Sequence, residues 1–193
     1  MSGDRSEDLV ASPSQTVGPF FHFGLTTDAT RGVMAMRGAP GEPVRLRVQV
    51  IDGAGEPVPD AMVELWQADA RGQYGAAAQG SAGADRPFAG WGRLPTGGDG
   101  ICEFTTIRPG VPATVDDAAT AAHINVCLFM RGLLRHLFTR VYFAGDPALD
   151  ADPVLALVPA ERRETLVAQP AGDGVWMFVI HLQGDRETAF FDE

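Results

Sequence analysis

Ala121-Ala-His-Ile-Asn-Val-Cys-Leu-Phe-Met-Arg-Gly132 is an apolar run of strand formers that nevertheless carries a histidine and an asparagine two residues apart. Side chains alternate between faces along a strand, so His123, Asn125, Cys127 and Phe129 share one side and Ile124, Val126, Leu128 and Met130 the other. The second face is wholly apolar and belongs in a core. A polar pair on the first face must be hydrogen-bonded, liganded or at a sheet edge, because an unpaired buried group costs ~1–3 kcal/mol. The ordinary reading is a hydrogen-bonded strand histidine.

The rest of the chain agrees with a strand-built protein. Its 193 residues fit one domain with an arm or insertions, and 45% hydrophobic residues supply a core. With 23 glycines and 14 prolines, short strands and turns are favoured over long helices. The net charge of −10 is scattered and makes nucleic acid and anionic membrane surfaces poor partners. Cys102 and Cys127 lie in strand-like runs without metal-ligand spacing and are expected to be buried, reduced thiols. No apolar segment reaches spanning length and the polar start is no signal peptide, which predicts a cytoplasmic location.

Working outward from the central stretch, Met1 to Asp8 is expected to fray. Ser12 to Gly24 reads as an arm: Pro13 and Pro19 oppose a regular helix, while Phe20, Phe21 and Phe23 need an apolar surface. His22 reads as a hydrogen-bonded arm histidine. Val44–Asp52 alternates cleanly, Ala61–Asp69 is the next strand, and 75–90 reads as a long mobile loop. Strands are predicted again at Trp91–Leu94, Ile101–Ile107, His136–Phe143 and Val175–Leu182, with a loop from Pro109 to Thr120 and one helix over Asp152–Ala168. Trp66 and Trp91 read as core residues. Six or more short strands with regular turns predict an all-β sandwich or barrel. Phosphate-binding loops, dinucleotide motifs, nucleophile elbows and zinc motifs are absent.

Several segments taken together resemble the intradiol ring-cleaving dioxygenases. They are Gln49-Val-Ile-Asp-Gly53, Pro59 through Tyr74 (Pro-Asp-Ala-Met-Val-Glu-Leu-Trp-Gln-Ala-Asp-Ala-Arg-Gly-Gln-Tyr), Gly98 through Gly110, Ala122-His-Ile-Asn125 and Arg140 through Asp146. The arm Ser12-Pro-Ser-Gln-Thr-Val-Gly-Pro-Phe20 and the ending Glu187-Thr-Ala-Phe-Phe-Asp192 resemble the α chains of the family's two-chain members. The resemblance implies a β-sandwich of the intradiol dioxygenase type, over 44–193, with residues 1–43 as an arm and loop packing on a partner subunit. It also implies a non-haem Fe(III) held by two tyrosines and two histidines. Two phenolates neutralise most of the charge of this hard cation, and imidazoles complete a site able to take a catecholate.

Departures from that pattern decide what the resemblance implies for this chain. The family's ligand positions match Tyr74, Val111, His123 and Asn125. A valine cannot bind iron and an asparagine amide is a poor substitute for imidazole. An arginine expected before the first histidine is Thr120, and a glutamine expected in the next strand is Arg140. The implied picture is a subunit with no metal and no catalytic residues of its own, paired with a β chain that carries the Fe(III). Thr16, Gly18 and Arg131 match positions that help wall the partner's pocket around a small aromatic carboxylate, which an Arg fork suits. Two other readings stay open: a self-sufficient intradiol dioxygenase with altered ligands, and a non-catalytic β-sandwich binding module. Iron content, alone and beside a partner chain with the full Tyr/Tyr/His/His set, separates them.

Overall fold

The computed structural model describes residues 11–75, 87–112 and 120–192. The expected frayed start, most of the 75–90 loop and residues 113–119 of the Pro109–Thr120 loop lie outside them.

Among the described residues, eight strands form the body of the fold: β1 (Pro43–Ile51), β2 (Met62–Gln67), β3 (Trp91–Pro95), β4 (Ile101–Ile107), β5 (Ile124–Phe129), β6 (Leu137–Phe143), β7 (Val167–Pro170) and β8 (Val175–His181). They join in the order β3-β2-β5-β6-β7-β8-β1-β4. The sheet curls until its end strands β3 and β4 meet. Its halves therefore face each other, and Leu46, Val48, Phe104 and Phe178 of one half share a single core cluster with Leu65, Val126, Leu128 and Val141 of the other. This is the all-β, sandwich-like architecture expected. Alternation creates it: in β1, Val44, Leu46, Val48 and Val50 are buried while their neighbours face outward.

β5 runs antiparallel between β2 and β6, so Asn125 stands opposite Trp66 on one side and Arg140 on the other. Ile124, Val126 and Leu128 are buried and Asn125, Cys127 and Phe129 half-buried, the two faces predicted from sequence. Cys102 is buried as expected, whereas Cys127 is only half-buried.

Four expectations are overturned. The segment 152–168 is not one helix but a chain of short 3₁₀ turns, Leu155–Leu157 and Ala160–Leu166, leading into β7. Pro159 is the reason: it disfavours helical backbone at the residue before it, and Val158 and Pro159 are extended, with ψ of 133° and 137°. Pro19, by contrast, opens a short helix, α1 (Pro19–Leu25), because proline is tolerated at the first helical position, where its missing N–H has no partner to lose. Trp66 and Trp91 are not core. Trp66 is 46% exposed, and the half-buried Trp91 lies beneath the guanidinium groups of Arg31 and Arg93, 5.3 and 4.9 Å from its ring centre. His22 also differs from its reading: its Nδ1 is buried without a hydrogen-bond partner among the described residues.

Candidate functional site

The site is built on Asp152, whose carboxylate is fully buried. Oδ2 accepts the Ala121 amide at 2.8 Å; Oδ1 accepts the Tyr142 hydroxyl and the Val154 amide at 3.0 Å and the Leu155 amide at 2.8 Å. One side chain thus joins the segment entering β5, the end of β6 and the turn after Pro153. Burial pushes the Tyr142 hydroxyl up to about 12, so it remains a donor to the carboxylate.

Ala121, fixed by Asp152, in turn fixes His123. The His123 Nδ1 lies 2.9 Å from the Ala121 carbonyl, which can only accept, so Nδ1 carries the proton. Nε2 is left with its lone pair facing the Tyr74 hydroxyl at 3.4 Å. Burial is the main reason that His123 titrates below the usual histidine range; the Ala121 bond opposes it and the charge of Arg140 adds to it. Asn125 Nδ2 donates to the same Tyr74 oxygen at 3.1 Å and to the Trp66 carbonyl at 3.2 Å. The Tyr74 ring packs on Trp66 with centroids 4.8 Å apart. Tyr74 therefore donates to His123 and accepts from Asn125, and the three polar groups close on one another.

Val111 is the fourth position. It is 53% exposed, and its carbonyl lies so close to Gly72 that a Cβ there would overlap it. Gly72 has φ +78°, and the Gly110 amide donates to the Asp69 carbonyl at 2.8 Å. Val111 thus stands against the turn that leads to Tyr74, and all four sequence-assigned ligand positions gather in one region. The family's ferric ion does not fit them. One phenol held in a neutral network, one imidazole, one amide and one alkyl side chain lack the anionic donors that a hard trivalent cation requires. Nor do the described residues contain a group of three or more His, Cys, Asp or Glu side chains placed to hold a metal.

Beside this network an open apolar cleft of about 620 Å³ is lined by Trp66, Trp91, Cys127, Phe138, Arg140 and Phe191, among others. A second, smaller hollow of about 170 Å³ lies at the other end of β5, between the arm and the β5–β6 turn. Gly18 and Arg131 line it with Val17, Phe21, His22 and Asp60. The arm is tied down there: Thr16 Oγ1 accepts the Gly132 amide at 2.8 Å, and the Phe21 and Phe129 rings are 5.4 Å apart. Arg131 Nε donates to Asp60 Oδ2 at 2.5 Å. So Thr16, Gly18 and Arg131 come together, and they do so away from Tyr74 and His123. Asp152 and Asp60 escaped sequence reasoning. The first sits before a proline as though opening a helix, and the second meets Arg131 from 71 positions away.

Residues 16–175 match the family model described as Dioxygenase. With that match, the likeness below and the curled eight-stranded sheet, the chain belongs to the intradiol ring-cleaving dioxygenase family. It is 44% identical over 199 residues to the protocatechuate 3,4-dioxygenase alpha chain of Burkholderia cepacia, an alignment covering 95% of this chain and 98% of that one. With the beta chain from the same organism it shares 34% identity over 160 residues, 81% of this chain and 66% of the other. Among solved structures it is similar to the dioxygenase domain of a dioxygenase–carbohydrate-binding fusion from a cellulolytic Streptomyces, with TM-score 0.62 and 25% identity, covering 92% of this chain and all of that one. No helix among the described residues is long and apolar enough to cross a membrane.

Proposed function

We propose that this chain is the α subunit of a protocatechuate 3,4-dioxygenase. In this reading a β subunit holds the Fe(III), and the pair cleaves 3,4-dihydroxybenzoate with O₂ to 3-carboxy-cis,cis-muconate in the cytoplasm. The observation that carries this is the closed Tyr74–His123–Asn125 network, in which the family's ligand positions satisfy one another instead of a metal. The match to an alpha chain over nearly the full length supports the same assignment.

The chain's own part is to wall the partner's pocket. Arg131 offers a guanidinium to the substrate carboxylate, the Thr16 hydroxyl retains its O–H to donate, and the arm backbone at Gly18 completes the rim. The hollow lined by Gly18 and Arg131, with Thr16 on the adjoining Gly132 amide, holds about 170 Å³. That is below the roughly 300–1,000 Å³ of a pocket that encloses its ligand, which suits one wall of a joint site. Residues 1–43 act as the packing arm. Phe20 and Phe23, 84% and 66% exposed, supply apolar surface of the kind an obligate interface covers.

Purification of the chain alone and co-expressed with a β chain carrying the full Tyr/Tyr/His/His set tests the proposal. Iron, visible colour and oxygen uptake on protocatechuate are expected only in the pair. Near-stoichiometric iron and colour in the lone chain overturn it, and favour instead a self-sufficient dioxygenase with altered ligands.

A further inference from the structure

Arg131 does not stand alone at the pocket wall. Its Nε is bound to Asp60 Oδ2 at 2.5 Å; the arginine side chain is 68% exposed and the aspartate 29%. An ion pair this exposed adds little stability, and one carboxylate set against the single cation of the hollow cancels its attraction for an anion. Such an arrangement makes sense as orientation. A guanidinium presents two usable edges, and Asp60 occupies the inner one through Nε, so the pair of NH₂ groups at the tip is left for a second, bidentate carboxylate. Asp60 precedes β2 and Arg131 follows β5, and these strands pair along Met62↔Phe129 and Val63↔Leu128. The donor and its anchor are therefore set by the sheet register rather than by a loose loop. Thr16 holds the adjoining Gly132 amide, which fixes the turn from the arm side.

We infer that Asp60 is a positioning and specificity-determining residue: it pre-orients Arg131 for a carboxylated aromatic ring and, by offsetting its charge, makes recognition depend on bidentate geometry. This rests on the assignment of Arg131 to the shared pocket wall. A freely rotating arginine must lose its rotamer freedom on binding, which weakens affinity by roughly two- to tenfold.

The test uses the assembled two-chain enzyme with Asp60→Asn, which keeps an acceptor but removes the charge, and Asp60→Ala, which removes both. Asp60→Ser replaces the alanine variant if that fails to assemble. The readouts are KM and kcat for protocatechuate and calorimetric Kd values for 4-hydroxybenzoate and for phenol, which lacks the carboxylate. Asp60→Ala is expected to bind 4-hydroxybenzoate about two- to tenfold more weakly than Asp60→Asn, with phenol equal in the two and the protocatechuate defect in KM. In an Arg131→Ala background the two Asp60 variants become indistinguishable. Equal 4-hydroxybenzoate affinities in the two variants, with Arg131→Ala still harmful, overturn the role of Asp60 and leave the Arg131 assignment standing. Equal weakening of phenol points to structural loosening and also overturns it. Were Arg131→Ala harmless, the pocket-wall assignment itself would fall, and this inference with it.

Discussion

Replacing Asp152 tests whether one buried carboxylate organises the polar network. Three of its four hydrogen bonds, from the Tyr142 hydroxyl and the Val154 and Leu155 amides, end on Oδ1; the fourth, from Ala121, ends on Oδ2. Asp152→Ala leaves the buried donors of Ala121, Tyr142 and Leu155 without partners, at ~1–3 kcal/mol each, partly offset by relief of the carboxylate's own desolvation. The net loss expected is about 3–5 kcal/mol. Asp152→Asn retains the Oδ1 acceptor and sets an NH₂ against the Ala121 amide, spoiling a single bond for ~1–3 kcal/mol. With a urea slope of about 2 kcal/mol/M, alanine moves the unfolding midpoint down by about 1.5–2.5 M and asparagine by roughly 0.5–1.5 M. Urea titrations followed by tryptophan fluorescence and far-UV circular dichroism measure both. Asparagine as damaging as alanine, or an alanine shift below about 0.5 M, refutes the idea that hydrogen-bond satisfaction at Oδ1 holds this region together.

Three further predictions concern the network and the interface. His123 titrates below its usual value of 6.5 because it is buried, so the unfolded chain takes up the proton first. Its contribution is complete above about pH 6.5 and declines as pH falls below that; His123→Gln should flatten the stability slope between pH 7 and 5, and an unchanged slope counts against a neutral buried ring. The double variant Val111→Tyr/Asn125→His restores the family's four donor types, and should take up ferric iron with a visible phenolate charge-transfer band where the parent chain shows none. Iron-free, colourless variant protein would mean that these positions cannot converge on one ion. Phe20→Ser/Phe23→Ser alters two exposed side chains, so thermal unfolding of the lone chain should move little while co-purification with the β chain falls sharply; retained pairing removes α1 from the interface.

Much of the fold was legible because it rests on alternation. Val44, Leu46, Val48 and Val50 announce β1, and the two faces of β5 follow from residue parity alone. The same parity places Trp66 outward, since Val63 and Leu65 point in, although aromatic bulk by itself argues for burial. The reading of 152–168 as a helix failed where apolar spacing outweighed Pro159, and it hid β7, whose Tyr142↔Val167 and Phe143↔Ala168 pairing with β6 is too short to leave a periodic signal. The ligand positions were visible as chemistry in sequence. Their mutual satisfaction was not, because the Tyr74–His123 contact spans 49 positions and depends on a proton location fixed by the Ala121 carbonyl.

The two ends of β5 carry opposite electrostatic logic. At its start, the Tyr74 hydroxyl, the His123 ring and the Asn125 amide nitrogen find their partners among the described residues, so the fold needs no ion to satisfy His123 or the phenol. A neutral imidazole beside Arg140 gains nothing from adding a further positive charge, which makes the region self-sufficient and poorly disposed to metal. Eight residues on from His123, about 26 Å of strand-like chain away, Arg131 is exposed and held by one of its edges. On the proposed reading, closing the first end releases this chain from metal chemistry, and leaving the second open lets the same strand serve a neighbour's site. On the proposed reading the decay of the ligands and the retention of Arg131 are one adaptation. A subunit that no longer competes for iron or catecholate can hold its carboxylate-binding edge permanently toward the subunit that does.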